Sequence, residues 1–200
     1  MRILIILLLF LGLIGCATTP VPTATPEAPQ PLTWENRAGV LSHLTAWDVN
    51  AAIAVRNNAK QGADSANMQW QQNGQNYSIL LFGPLGSNSV HLTGRPGNVQ
   101  LEAANGKKFS AKSPEMLLTE QTGYHVPVSN LYYWIRGIPV PNVPAQKHFD
   151  NTNHLVELNQ AGWLVQFLSY TSVNQVELPN KIFLSNPEMT VKIVIHKWKL

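Results

Sequence analysis

Cysteine is all but missing from this chain, which holds a single one, Cys16, in 200 residues. With one thiol the chain cannot build an internal disulfide framework, and its fold must rest on packing. Charge is also scarce. Charged residues are 12% of the composition, 14 basic against 11 acidic for a formal net charge of +3. No run of Lys and Arg tracks a phosphate backbone, so nucleic acid is not an expected partner. Aspartate occurs three times, at Asp48, Asp64 and Asp150, far apart and among polar residues. The six histidines, His43, His91, His125, His148, His154 and His196, are scattered, with no HExxH and no pair at metal spacing. No G-x-S-x-G elbow, phosphate loop or G-x-G-x-x-G is present, since Gly83-Pro84-Leu85-Gly86-Ser87 sets its serine outside the first pattern. The chain therefore reads as neither an enzyme nor a cofactor or metal carrier, unless a polar constellation invisible in sequence is assembled by the fold. No apolar run is long enough to span a bilayer, since the longest, Ile3 to Ile14, is followed by Gly15.

That short run has its own meaning. Arg2 supplies a positive start, Ile3 to Ile14 the apolar segment and Gly15 a small residue before Cys16, the pattern of an export signal with its cleavage site. Leu13-Ile14-Gly15-Cys16 resembles the bacterial lipobox, in which the thiol receives a diacylglycerol and the freed amine is then acylated. Several acyl chains, at about 0.8 kcal/mol per buried methylene, anchor a protein almost permanently. Ala17, in place of aspartate, resembles the outer-membrane address of Gram-negative lipoproteins. Residues 1–15 are thus expected to be cleaved, leaving about 185 residues. Loss of Arg2 lowers the formal charge from +3 to +2. Residues 16–32 read as lipidated cysteine and tether, because Pro20, Pro22, Pro26, Pro29 and Pro31 stand among Thr and Ala with no apolar periodicity. Residues 33–200 are the expected globular domain.

From Thr33 the pattern becomes structured. Thr33 as N-cap, Glu35 in the first turn, and Trp34, Ala38, Leu41 and Leu44 at helical spacing predict a helix to about Leu44. The period then changes to two: Trp47, Val49, Ala51, Ile53 and Val55 alternate with more polar neighbours as in a strand. Strands are expected next around Met68–Gln72, Tyr77–Leu81, Val90–Leu92, Val99–Leu101 and Lys108–Ala111, with turns at Asn73-Gly74, Arg95-Pro96-Gly97-Asn98 and a two-residue hairpin at Asn105-Gly106. Ser113-Pro114-Glu115 opens a helix that Gly123 closes, and Ser129 is read as the cap of a second one through Leu131, Trp134 and Ile135. Strands return at Leu155–Leu158, Trp163–Tyr170, Lys181–Leu184 and Val191–Trp198. The fold class is mainly β with helices: a curved antiparallel meander with helices against one side. A β-sandwich is the alternative, and closure of the barrel is not decided by the pattern.

Six tryptophans among many aliphatic residues, in a concave sheet capped by helices, suggest a hydrophobic cavity able to hold acyl chains. One loop points the same way. In Gly83-Pro84-Leu85-Gly86 a leucine stands between turn formers at a hairpin tip, where an apolar side chain is costly unless something apolar meets it. That partner is either the sheet, if the leucine folds back onto it, or, in a lipid-anchored protein, the bilayer into which the exposed leucine dips.

Several stretches carry a family resemblance: Met68-Gln69-Trp70-Gln71-Gln72-Asn73-Gly74, Tyr77 to Gly86, Arg95-Pro96-Gly97-Asn98-Val99-Gln100-Leu101, Pro127-Val128-Ser129-Asn130-Leu131, Trp134-Ile135-Arg136-Gly137-Ile138-Pro139, Gln160-Ala161-Gly162-Trp163, Leu178-Pro179 and Val194-Ile195-His196-Lys197-Trp198. In this order, behind a lipobox, the chain resembles the LolB family, receptors of the Lol lipoprotein-sorting system. The resemblance implies an incomplete antiparallel barrel covered by a few α-helices, with an apolar cavity inside. It also implies the partners: a LolA-type periplasmic carrier, triacylated lipoproteins as cargo, and outer-membrane lipid, without covalent chemistry or cofactor. Leu85 matches the family's protruding-loop leucine, with Pro84 and Gly86 holding the loop's shape. Strand parity and helix face select Trp70, Ile79, Leu81, Leu92, Trp134, Trp163 and Phe167 as cavity residues. The expected state is a monomer, lipid-anchored through Cys16 on the periplasmic side of the outer membrane. A passive lipid-binding or scaffold lipoprotein of the same shape is the second reading.

Overall fold

The computed structural model describes residues 32–59, 63–86, 88–95 and 97–200. The expected signal segment, Cys16 and the proline-rich stretch up to Pro31 lie outside the described residues. Pro31–Leu200 makes one compact unit.

Helix α1 (Trp34–His43) begins as its sequence dictates, with the Thr33 hydroxyl accepting from the Asn36 N–H at 3.3 Å. It leads into β1 (Ala46–Asn57), where Trp47, Val49, Ala51 and Ile53 are buried on one face. Five more strands follow by short turns: β2 (Asp64–Asn73), β3 (Asn76–Phe82), β4 (Val90–Arg95), β5 (Asn98–Ala103) and β6 (Lys108–Ala111). Helices α2 (Pro114–Thr122) and α3 (Val128–Trp134) come next. The chain then returns through β7 (Ala145–Phe149), β8 (Leu155–Gln160), β9 (Trp163–Val173), β10 (Val176–Ser185) and β11 (Met189–Lys199).

All strands join one sheet of 11 in the order β6-β5-β4-β3-β2-β1-β11-β10-β9-β8-β7. Every neighbouring pair is antiparallel. The first and last strands meet in the middle, while β6 and β7 form opposite open edges, so the sheet is not closed. A twisted sheet of this width curls, and the segment linking its two edges carries α2 and α3. The fold is therefore an incomplete antiparallel barrel with helix cover, as the sequence pattern and the resemblance lead one to expect.

Bulges tune which residues face inward. Asn50 pairs with Lys197 but Ala51 with Ile195, leaving His196 as the extra residue on β11. Ile195 and Trp198 therefore both point inward, and Trp198 meets Trp47 at 5.5 Å between ring centroids. Asn180 on β10 and Leu168 on β9 are likewise skipped, which accommodates Pro179, a residue with no N–H for the ladder.

Several expectations need correction. The Asn105-Gly106 turn is not a two-residue hairpin: the Gly106 N–H donates to Ala103 O at 2.8 Å and the Ala103 N–H to Lys107 O at 2.9 Å. Only Gly106 takes positive φ (+75°), as in a longer turn with a bulged glycine. Ser129 lies inside α3 rather than capping it; its N–H donates to Glu115 Oε1 of α2 at 2.8 Å, so the cap comes from another helix. The strand β7 was not foreseen, and β9 and β10 are longer than expected. They turn at Asn174-Gln175, both at positive φ without a glycine.

Candidate functional site

Two halves of the interior differ. Under β8–β11 the core is filled: Leu155, Leu158, Val165, Leu184 and Ile193 are fully buried. Trp134 belongs to this half, its Nε1–H donating to Gln160 Oε1 at 2.9 Å and its ring 6.5 Å from Trp163. Gln160 completes the knot by accepting from the Val140 N–H and donating to Val140 O and Val143 O. The Trp134 indole and the Gln160 amide are thus both paired.

Under β1–β4 the core is hollow. A cavity of about 410 Å³ lies between the sheet and the helices, walled by Met68, Trp70, Ile79 and Leu92 from the sheet and by Leu118 and Leu131 from α2 and α3. Its volume falls in the ~300–1,000 Å³ range of small-ligand sites. Trp70 is fixed in the wall because its Nε1–H donates to Gln72 Oε1 at 2.9 Å, and Gln72 in turn donates to Gly74 O at 2.8 Å. The polar lining residues Asp64, Ser65, Asn88, Thr122 and Tyr124 all come from element ends: the start of β2, the approach to β4 and the end of α2. They form a wet rim around a dry interior. At this rim Tyr124 donates its hydroxyl to Asp64 Oδ2 at 2.5 Å. That bond, more than burial, raises the phenol pKa above its ordinary value.

The Pro84–Gly86 turn belongs to the same end. It is a single 3-10 turn joining β3 to β4, with Pro84 and Gly86 exposed and Gly86 at φ +78°. Leu81 before it and Asn88 and Val90 after it all line the cavity, so the turn extends from the cavity's rim. The side chain of Leu85 lies outside the described part of the structure.

Of the seven residues selected for the cavity, Trp70, Ile79, Leu81 and Leu92 line it, while Trp134, Trp163 and Phe167 do not. The latter three face inward, as strand parity and helix face require, but on the filled side. Alternation tells inside from outside and not hollow from solid. Leu118, Val126 and Leu131 line the cavity and were not foreseen there; the apolar run Met116-Leu117-Leu118 just inside α2 was the available signal.

Two buried arginines fasten α1 to this frame. Arg136 donates through Nη1 to Leu41 O at 2.9 Å and Leu44 O at 2.8 Å, closing the end of α1, while its guanidinium lies 4.2 Å from the Tyr132 ring centroid. Arg37 meets Glu177 Oε2 at 2.5 Å, and His154 bridges Glu177 (3.0 Å) to Asp150 (3.1 Å). The Arg37 hydrogen bond holds the Glu177 carboxyl below the usual carboxylate range. Burial works against ionisation of Asp150, but the N–H groups of His154 and Thr152 and the Thr152 hydroxyl outweigh it and pull its pKa to about 2. Among the described residues no three His, Cys, Asp or Glu side chains converge as metal ligands.

An open antiparallel half-barrel with helix cover is a fold that this chain shares with solved structures. A LolA superfamily protein from Nitrosomonas europaea superposes with a TM-score of 0.56 at 8% identity, covering 84% of this chain and 94% of that one. A putative outer membrane lipoprotein-sorting protein domain from Vibrio parahaemolyticus gives 0.54 at 7% identity, covering 83% and 88%. At such identities the likeness concerns the fold alone. Sequence narrows it. The family profile described as Outer membrane lipoprotein LolB matches residues 45–198. Outer-membrane lipoprotein LolB of Coxiella burnetii (strain RSA 493 / Nine Mile phase I) is 39% identical over 185 residues, 92% of this chain and 87% of its own. Its counterpart in Ectopseudomonas mendocina (strain ymp) is 38% identical over 199 residues, 100% and 97% of the two chains. The chain belongs to the LolB family of outer-membrane lipoproteins.

Proposed function

We propose that this protein receives acylated lipoproteins from a LolA-type periplasmic carrier and inserts them into the outer membrane, the acyl chains passing through the hollow half of the sheet without any covalent step. The observation that carries the reading is the coincidence of an apolar cavity and the Pro84–Gly86 turn at one end of β3. The cavity offers an acyl chain a dry wall of aliphatic and aromatic side chains, worth about 0.8 kcal/mol per methylene taken out of water. Transfer follows differences in binding free energy. A chain moves from the carrier's site to this cavity and then to the bilayer when each holds it more favourably than the last. Leu85, at the tip of the turn, is the residue that dips into lipid and brings the cavity mouth to the membrane.

Membership of a family of outer-membrane lipoproteins supports the remaining parts. Cys16 carries the acyl anchor after removal of residues 1–15, residues 16–32 are the tether, and residues 33–200 work on the periplasmic side of the outer membrane. The protein acts as a monomer and catalyses no reaction. Trp70, Ile79, Leu81 and Leu92 are the sheet side of the acyl site.

The test is a transfer assay. Carrier loaded with a lipoprotein is mixed with the chain from Ala17 onward, then with vesicles, beside the Leu85→Glu variant. The reading requires cargo to move onto both forms and insertion to fail in the variant, whose stability stays within ~0.5 kcal/mol of the parent because a surface turn is altered. Cargo that stays on the carrier with both forms refutes it and leaves the passive lipid-binding alternative.

A further inference from the structure

One hydrogen bond crosses the mouth of the apolar cavity. Helix α2 packs against β5, β6 and α3, at one edge of the sheet. Gly123 ends that helix in the left-handed conformation at φ +76°, and Tyr124 follows it directly. The turn is held by the Thr122 hydroxyl, which donates to Leu118 O at 2.6 Å and accepts from the Tyr124 N–H at 3.2 Å. From there the Tyr124 hydroxyl reaches Asp64 Oδ2, on the first residue of β2. In the order β6-β5-β4-β3-β2, this contact spans β4 and β3, the strands that supply Ile79, Leu81, Val90 and Leu92 to the cavity wall. Three strand spacings separate β5 from β2, roughly 14 Å. Tyr124 and Asp64 both line the cavity, at its polar rim.

Neither residue is committed elsewhere. Among the described residues Asp64 has no cationic neighbour in ion-pair range. Neither side chain belongs to the filled core: Asp64 is exposed and Tyr124 half-buried. The bond therefore adds little to the packing of the molecule while tying its helix cover to β2, across the β3 and β4 part of the cavity wall.

We infer that the Tyr124–Asp64 pair is a latch across the cavity mouth, which sets how fast an acyl chain enters and leaves. The inference rests on the reading of this cavity as the acyl site and adds positioning residues that act on its opening. The latch spans the rim and leaves the walls untouched. Breaking it widens the passage in both directions and leaves unchanged the apolar contacts that determine how tightly the chain is held.

The experiment follows uptake and release of a fluorescent palmitoyl probe by stopped flow. It uses the chain from Ala17 onward, in which the compact unit Pro31–Leu200 is intact. The parent is compared with Tyr124→Phe, which removes one hydroxyl and keeps the ring, with Asp64→Ala, and with the double variant. Entry and release are expected to accelerate together by roughly five- to tenfold, the scale of one hydrogen bond to a charged group at a partly wet site, with Kd nearly constant. The double variant is expected to be no faster than either single one, because all three lose the same contact. Unchanged rates in Tyr124→Phe, with only a lower Tm, overturn the latch and leave the bond a structural one. A parent that takes up no probe overturns the acyl-site reading itself, a result distinct from binding with unaltered rates.

Discussion

The β8–β11 half of the molecule and the β1–β4 half are built from the same antiparallel meander, yet one is solid and the other hollow. Beneath β8–β11, Trp134, Trp163 and Phe167 occupy the volume that a ligand would need, and Gln160 fastens Trp134 in place. Beneath β1–β4 the sheet residues are no smaller, since Met68, Trp70 and Leu92 stand there. The difference comes from the cover. Trp134 and Ile135 at the end of α3 have no exposed surface, whereas α2 and the start of α3 leave about 410 Å³ beneath them. A filled half thus stands beside a hollow one. That division suits the proposed role, in which a chain is held firmly enough to be received and loosely enough to be released.

The sharpest way to break this comparison is to delete the same side chain on both sides. Leu158→Ala, fully buried in the filled half, is expected to cost about 4–5 kcal/mol in a urea melt, because surrounding atoms cannot collapse into the gap. Leu92→Ala, beside an existing cavity, falls at the low end of the same series, about 2–3 kcal/mol. Equal costs would mean that the hollow is closed in solution.

Adding volume should reverse the asymmetry. Val165→Trp, at a fully buried position that lines no described cavity, is expected to lose ~3 kcal/mol by overpacking. Leu81→Trp projects into the cavity and is expected to cost under ~1.5 kcal/mol. It should nevertheless abolish uptake of an acyl probe, measured by fluorescence titration, since it fills the site that the chain would enter.

The smallest expected effect is one of pH. The Asp150 carboxyl is held at about 2 in the folded chain against an ordinary 3.8. A depressed carboxylate contributes stability above its unfolded pKa and loses it as pH falls toward the folded value. Asp150→Asn should therefore lower Tm by a few degrees near pH 6 and converge with the parent as pH drops from about 4 to about 2. The partial exposure of the group keeps this effect modest. Uptake of an acyl probe should not change with this substitution, because Asp150 is not among the residues that line the cavity.

The same contrast separates what the sequence discloses from what it withholds. Helix α2 could be read end to end, because Ser113, Pro114 and Gly123 are local signals and each acts locally. The start of α3 could not, because one of its first-turn N–H groups, that of Ser129, is met by the side chain of Glu115, a residue of another helix. Strand β7 has three polar residues in a row between Ala145 and Phe149 and pairs only with β8, so no alternation announces it. The turn at Asn174-Gln175 lacks the glycine that usually marks positive φ. Strand parity and helix face send Trp134, Trp163 and Phe167 inward, where they are buried, and only the helix cover decides that they do not line the cavity. Half of the cavity wall was readable from the sheet as Trp70, Ile79, Leu81 and Leu92. The other half, Leu118 and Leu131, depended on where the helices dock.

The central claim is that the hollow half, and not the filled one, takes the acyl chain. It is tested most directly by loading the protein with a photoreactive palmitoyl lipoprotein, irradiating, and mapping the adducts by mass spectrometry. The account predicts adducts on Met68, Ile79, Leu92 and Leu131. Adducts concentrated on Trp163, Val165 or Phe167 would contradict it.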